Sequence, residues 1–155
     1  MMIFIVCTDD PELVEIAADC VLDEPDVFIS YYQPFKNPIP PLGVNENLFI
    51  IAHGAFQGSE GKPEIGDRDI NRAFCLNGEQ CFINIQPLLP PGYKGNVYVD
   101  ACKSATSSRK IDSFITTLQH QFLLHSLNTQ VYGINGDSSG LIPLPGDPKW
   151  RPAKI

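Results

Sequence analysis

Two residues in this sequence have the side chains and the neighbours for covalent catalysis. His53 follows the apolar run 48–52 and precedes Gly54, and Cys102 follows the strand-like segment Asn96-Val97-Tyr98-Val99-Asp100-Ala101. A cysteine becomes a useful nucleophile when a nearby group generates or stabilises its thiolate, and an imidazole within hydrogen-bond reach is a common means. Gly54 has no Cβ, which lets backbone approach a substrate and lets its N–H act as an oxyanion donor beside the Cys102 amide. Taken singly, a strand-end histidine is more often satisfied by a backbone carbonyl, and a single cysteine is more often a buried thiol. It is their joint placement, with the glycine, that points to a dyad for acyl transfer. No third catalytic residue is legible.

The two motifs need elements that carry them to one place. Residues 3–7 form an apolar run ending in Thr8-Asp9-Asp10-Pro11, where an Asp caps a helix and Pro11 suits its first turn. The helix, about 11–22, gathers Leu13, Ile16, Ala17, Cys20 and Val21 on one stripe. A short strand is expected over 26–30, and the four prolines in 33–43 exclude a helix there. Residues 48–52 and 96–101 read as strands, the first apolar on both faces as buried parallel strands are. Between them, 73–76 and 79–83 flank Asn77-Gly78, a signal for a two-residue hairpin turn. A helix over 108–127 buries Ile111, Phe114, Ile115, Leu118 and Phe122, and a fifth strand spans 129–134. This alternation predicts an α/β domain, a three-layer sandwich with a mostly parallel sheet of about five strands. Open sheets of that kind place their ligand crevice at the carboxyl ends of the strands, where His53 and Cys102 fall. The domain is expected over 1–140. Residues 141–155, rich in proline, are expected as an extended C-terminal tail.

The segments Leu48-Phe49-Ile50-Ile51-Ala52-His53-Gly54 and Val97-Tyr98-Val99-Asp100-Ala101-Cys102-Lys103-Ser104 resemble the two catalytic motifs of the caspase-like (clan CD) cysteine peptidases, and among them the metacaspase and clostripain-like members. In that group an apolar strand ends in His-Gly and the next ends in the nucleophilic cysteine. The resemblance implies a caspase-like fold and peptide-bond hydrolysis by a His53–Cys102 dyad. It also implies that Asp100, two residues before the cysteine, belongs to a pocket for a basic P1 side chain. The loop after the fifth strand would form another wall of that pocket and offer Asp137 as a second anion. Caspase-like peptidases commonly have a sixth strand after the fifth, where this sequence shows only the Pro-rich tail. The alternative is a catalytically inactive caspase-like module acting in protein–protein binding; a variant of the peptidase reading joins the two, with Lys149, Arg151 and Lys154 of the tail expected to occupy a basic-preferring cleft or to be cut in cis.

Composition narrows the partners. Eleven Lys+Arg against eighteen Asp+Glu give a net charge of −7, which repels nucleic acid and anionic membranes and favours the approach of basic peptides. No apolar run approaches the roughly 20 residues of a membrane span, so a soluble protein acting on a peptide or protein substrate is expected. The first residues lack a basic n-region, so the expected location is the cytoplasm, or delivery as an effector without a Sec signal. Five cysteines, mostly in apolar periodic segments, argue against a disulfide framework, and the His/Cys spacings do not suggest zinc. No metal and no cofactor are expected. Asp9 and Asp10 are reminiscent of a phosphoreceiver's acidic pair, but His53 stands where that chemistry needs an aspartate, so capping is the role expected of them. The first strand-to-helix turn also lacks the glycines of a dinucleotide site.

Overall fold

The computed structural model describes residues 1–6, 10–33, 38–57, 62–67, 75–107, 112–137 and 140–154. Cys7, Asp9, residues 73–74 of the expected hairpin and residues 108–111 of the expected long helix lie outside them. The main sheet contains β1 (Met2–Ile5), β2 (Ser30–Tyr32), β3 (Leu48–Ile51), β7 (Val97–Asp100), β8 (Val131–Ile134) and β9 (Trp150–Pro152), in the spatial order β2-β1-β3-β7-β8-β9. Every neighbouring pair is parallel except β8 with β9. A second, antiparallel sheet joins β4 (His53–Gln57), β5 (Pro63–Gly66) and β6 (Cys75–Asn77). Among the described residues no helix is long and apolar enough to cross a membrane.

Helices cover both faces of the main sheet, and strand alternation decides which residues meet which layer. Phe4, Ile50 and Val99 point to the side of α2 (Gly78–Ile85) and α3 (Phe114–Leu124), where they share a core with Phe82, Ile85, Leu118 and Phe122. Ile3, Ile5, Phe49 and Tyr98 point the other way, onto Leu13, Ala17 and Cys20 of α1 (Pro11–Asp23). The strands are apolar on both faces because each face has a helical layer to bury it.

The second strand starts later than its sequence suggests. After α1 the amides of Val27 and Phe28 both bond back to the Glu24 carbonyl, so residues 25–27 are consumed by the helix's closing turn. Phe28 is then buried edge-on against Phe49, with ring centroids 4.8 Å apart.

The Asn77-Gly78 dipeptide is a helix start, not a hairpin turn. Asn77 accepts from the Gln80 amide while the Gln80 side chain accepts from the Asn77 amide, a reciprocal capping box opening α2. Gly78 is required by proximity: a Cβ there would lie 2.2 Å from Thr117 Oγ1 and 2.7 Å from the Leu118 amide nitrogen of α3. Asn-Gly was thus selected for a cap and a close helix crossing, not for positive φ.

The C-terminal segment, expected to lie over the surface, supplies a sixth strand. Phe49, Tyr98 and Tyr132 stack across β3, β7 and β8, and Trp150 of β9 meets Tyr98 at 5.0 Å between centroids. Trp150 is 6% exposed, and its indole N–H donates to the Pro143 and Leu144 carbonyls. Burial of the indole and of Ile142 outweighs the weak β-propensity of a proline-rich stretch, and Pro152 sits on the edge strand, where proline is tolerated.

Gly78→Ala should lower unfolding stability by about 1–3 kcal/mol, the usual cost of overpacking a close contact, as read from urea denaturation. An unchanged midpoint would show that α2 and α3 separate without cost.

Candidate active site

The parallel pairing of β3 with β7 fixes where the two candidate catalytic residues leave the sheet. Register runs from Leu48↔Val97 to Ile51↔Asp100, and the Ala52 amide continues the ladder to the Asp100 carbonyl at 3.4 Å. His53 and Cys102 each lie two residues beyond that last register pair, past the carboxyl ends of neighbouring strands. His53 opens β4 and is half-buried, and Cys102 is half-buried in the turn after β7.

That turn is held tightly. Ser104, fully buried, donates its hydroxyl to the Val99 carbonyl at 3.0 Å and accepts the Ile134 amide at 2.9 Å. The Ser104 amide bonds to the Ala101 carbonyl, and the Lys103 amide bonds to the Gly136 carbonyl at 2.6 Å. Lys103, next to the cysteine, takes φ +60°, a left-handed conformation that costs a side-chain-bearing residue energy. The chain therefore reverses abruptly at Cys102 instead of extending into solvent. Gly54 adopts φ +121°, which a Cβ would oppose, and a register shift separates it from Phe56 on β4.

Asp10 is a member of this rim that sequence reading assigned only to capping. It does cap α1: Oδ1 accepts from the Glu12 and Leu13 amides at 3.1 and 3.4 Å. Its other oxygen, Oδ2, accepts from His53 Nε2 at 2.5 Å, with side-chain exposures of 20% for His53 and 14% for Asp10. The available signal was positional. Asp10 follows the strand that neighbours the histidine's strand, and a cap uses only one carboxylate oxygen. Glu12 adds a donor atom, so that Asp10, Glu12 and His53 offer three within 4.8 Å of one another. Two of these residues are already bonded to each other, and Glu12 is exposed, so the geometry describes an acidic rim around the imidazole more directly than a metal centre.

Asp100 and Asp137 share a pocket of about 380 Å³, together with Ile134, Asn135, Lys149 and Arg151. Asp100 is 3% exposed at the end of β7, whereas Asp137 is exposed on the loop after β8. Neither His53 nor Cys102 lines this pocket; it adjoins the rim through Asp100 and through the Lys103–Gly136 hydrogen bond. Lys149 and Arg151 reach it from β9 and the turn before it, and Lys154 lines a separate surface pocket with Thr106 and Thr116.

The other described cysteines are chemically quiet. Burial pushes the Cys81 thiol up to about 12 and raises those of Cys20 and Cys75 as well. Asp100 and other carboxylates reinforce the rise at Cys20, as Glu64 and Asp67 do at Cys75.

No protein-family model matches the chain, and no curated protein and no solved structure matches it significantly.

Two outcomes follow from this geometry. Brief iodoacetamide treatment at neutral pH should modify Cys102 ahead of Cys20, Cys75 and Cys81 in peptide mass spectra; equal labelling of Cys81 would contradict the burial argument. Ser104→Ala should cost about 1–3 kcal/mol in chemical denaturation, because it strands the buried Ile134 amide, and a neutral result would mean that the turn has another anchor.

Proposed function

We propose that this chain is a cysteine endopeptidase acting through a His53–Cys102 dyad on substrates with a basic P1 residue. The observation that carries the reading is the parallel β3/β7 register, in which a histidine and a cysteine each follow the end of one of two adjacent strands by two residues. In this mechanism the Cys102 thiolate attacks the scissile carbonyl carbon, and the amides of Gly54 and Cys102 receive the oxyanion. As the tetrahedral species collapses, the C–N bond breaks and His53 gives its proton to the leaving amine, which leaves a thioester. Water then attacks the thioester carbonyl, His53 takes its proton, and the C–S bond breaks to release the carboxylate product and regenerate the thiolate. No metal or redox partner is needed to balance these steps.

The P1 assignment rests on the pocket holding Asp100 and Asp137 beside this rim. A buried carboxylate gives a charge-assisted hydrogen bond to Arg or Lys, which a smaller or apolar P1 residue cannot replace. The caspase-like arrangement belongs to the same proposal. The resemblance of the two motifs implies a further strand after the fifth strand of the parallel set, and β9 supplies one.

A second reading has its own support. Lys149 and Arg151 already line the pocket, so part of its negative charge is answered from within the chain, as in a module that binds partners without turning them over. The tail cannot simply be removed to test this, because Trp150 is buried in the core. Point substitutions at Lys149 and Arg151, both exposed, leave the indole in place.

The deciding experiment is labelling by peptide acyloxymethyl ketones bearing Arg, Lys, Leu or Asp at P1. Wild type should react with the basic probes only, Cys102→Ala and His53→Ala should not react, and Asp100→Asn should slow labelling by about 10- to 100-fold. Failure of every probe on wild type, and also on Lys149→Ala/Arg151→Ala, would remove the peptidase reading and leave the binding module.

A further inference from the structure

We infer that Asp10 is a positioning residue for His53: through Oδ2 it holds the proton of the neutral imidazole on Nε2 and so leaves Nδ1 as the nitrogen that can accept the thiol proton. The inference rests on the proposed peptidase reading for its catalytic consequence, but not for the hydrogen bond itself. A carboxylate only accepts, so the 2.5 Å contact requires that Nε2 carry the hydrogen. A neutral imidazole has one N–H, which leaves Nδ1 as its acceptor. The ring nitrogen that accepts the thiol proton would therefore be Nδ1, and the imidazolium then formed would face a carboxylate across its other nitrogen.

What makes Asp10 suited to this is the rigidity of its other bonds. Oδ1 is anchored by the Glu12 and Leu13 amides at the start of α1, a helix 13 residues long whose Leu13, Ala17 and Cys20 are buried against the sheet. The carboxylate plane is thus set by the helix, the helix by the core, and the imidazole by the free edge of the carboxylate. One side chain serves as both cap and orienter, and the three elements β1, β3 and β7, adjacent in the sheet, each deliver one residue to the rim.

The double role allows a substitution that separates structure from chemistry. Asn caps helices about as well as Asp, so in Asp10→Asn the amide oxygen can keep the Glu12 and Leu13 contacts. Its NH2 group then faces His53 Nε2 as a donor, which demands the opposite tautomer, with hydrogen on Nδ1.

The test combines long-range 1H–15N correlation spectra of histidine-labelled protein with turnover of an Arg-P1 peptide. The His53 signals are assigned by their loss in His53→Ala and recorded where the ring is neutral. Wild type should show the Nε2–H tautomer, and Asp10→Asn should convert it to Nδ1–H with an unchanged melting temperature. In the same variant kcat should fall about 10²- to 10⁴-fold with KM changed less than about twofold, as expected when a correctly placed imidazole holds its proton on the wrong nitrogen. Asp10→Glu should recover more kcat than Asp10→Ala. Nδ1–H in wild type, or an Asn variant that keeps both its tautomer and its kcat, would overturn the inference. A chain that switches tautomer as stated but turns over no peptide would discard the peptidase reading while leaving the control of His53 by Asp10 intact.

Discussion

The in-register parallel pairing of β1, β3 and β7 is the constraint on which the site depends. Parallel strands all end on the same rim, so whatever follows each of them is delivered to one edge of the sheet. Here those followers are Asp10, His53 and Cys102. The parallel pairing is in turn sustained by burial of both faces, with α1 on one side and α2 and α3 on the other. A strand such as Leu48–Ile51, apolar at every position, has no stable place in a sheet with one wet face.

Around that rim the structure spends rigidity unevenly. The turn after β7 is bonded through Ser104 to both β7 and β8, and the neighbouring Lys103 is kept in a left-handed conformation by those bonds. Helix α1 fixes Asp10, and Asp10 meets His53. The pocket beyond Asp100, by contrast, is built from a loop and from β9, which among the described residues pairs with β8 alone. Rigid elements therefore carry Asp10, His53 and Cys102, the groups that the proposed chemistry needs in fixed relation, and the edge adds Lys149 and Arg151 to the pocket that Asp100 closes from within.

Much of the fold was legible because it rests on local patterns. The alternation of apolar runs with helical stripes gave the α/β class, and Pro11 after Asp10 marked the start of α1 at the observed residue. The patterns failed where one dipeptide serves two purposes. Asn77-Gly78 fits a hairpin turn and a helix cap equally well, and the choice was made by Thr117 and Leu118, some 40 residues away, which leave no room for a Cβ at Gly78. Likewise nothing local in 141–155 announces a strand; β9 forms because Trp150 finds Tyr98 and a buried niche at the end of an aromatic row.

For the candidate site, the sequence by itself determined the residue types, the strand ends on which His53 and Cys102 sit, and the capping role of Asp10. Those are properties of short segments, set by side-chain chemistry and by the hydrophobic period. Only the tertiary structure decided that the strands of His53 and Cys102 are neighbours, that Asp10 has a second oxygen facing His53, and that Asp100 and Asp137 share one pocket with Lys149 and Arg151. Strand order and the reach of a side chain across it follow from how whole faces are buried together, and no single segment contains that information.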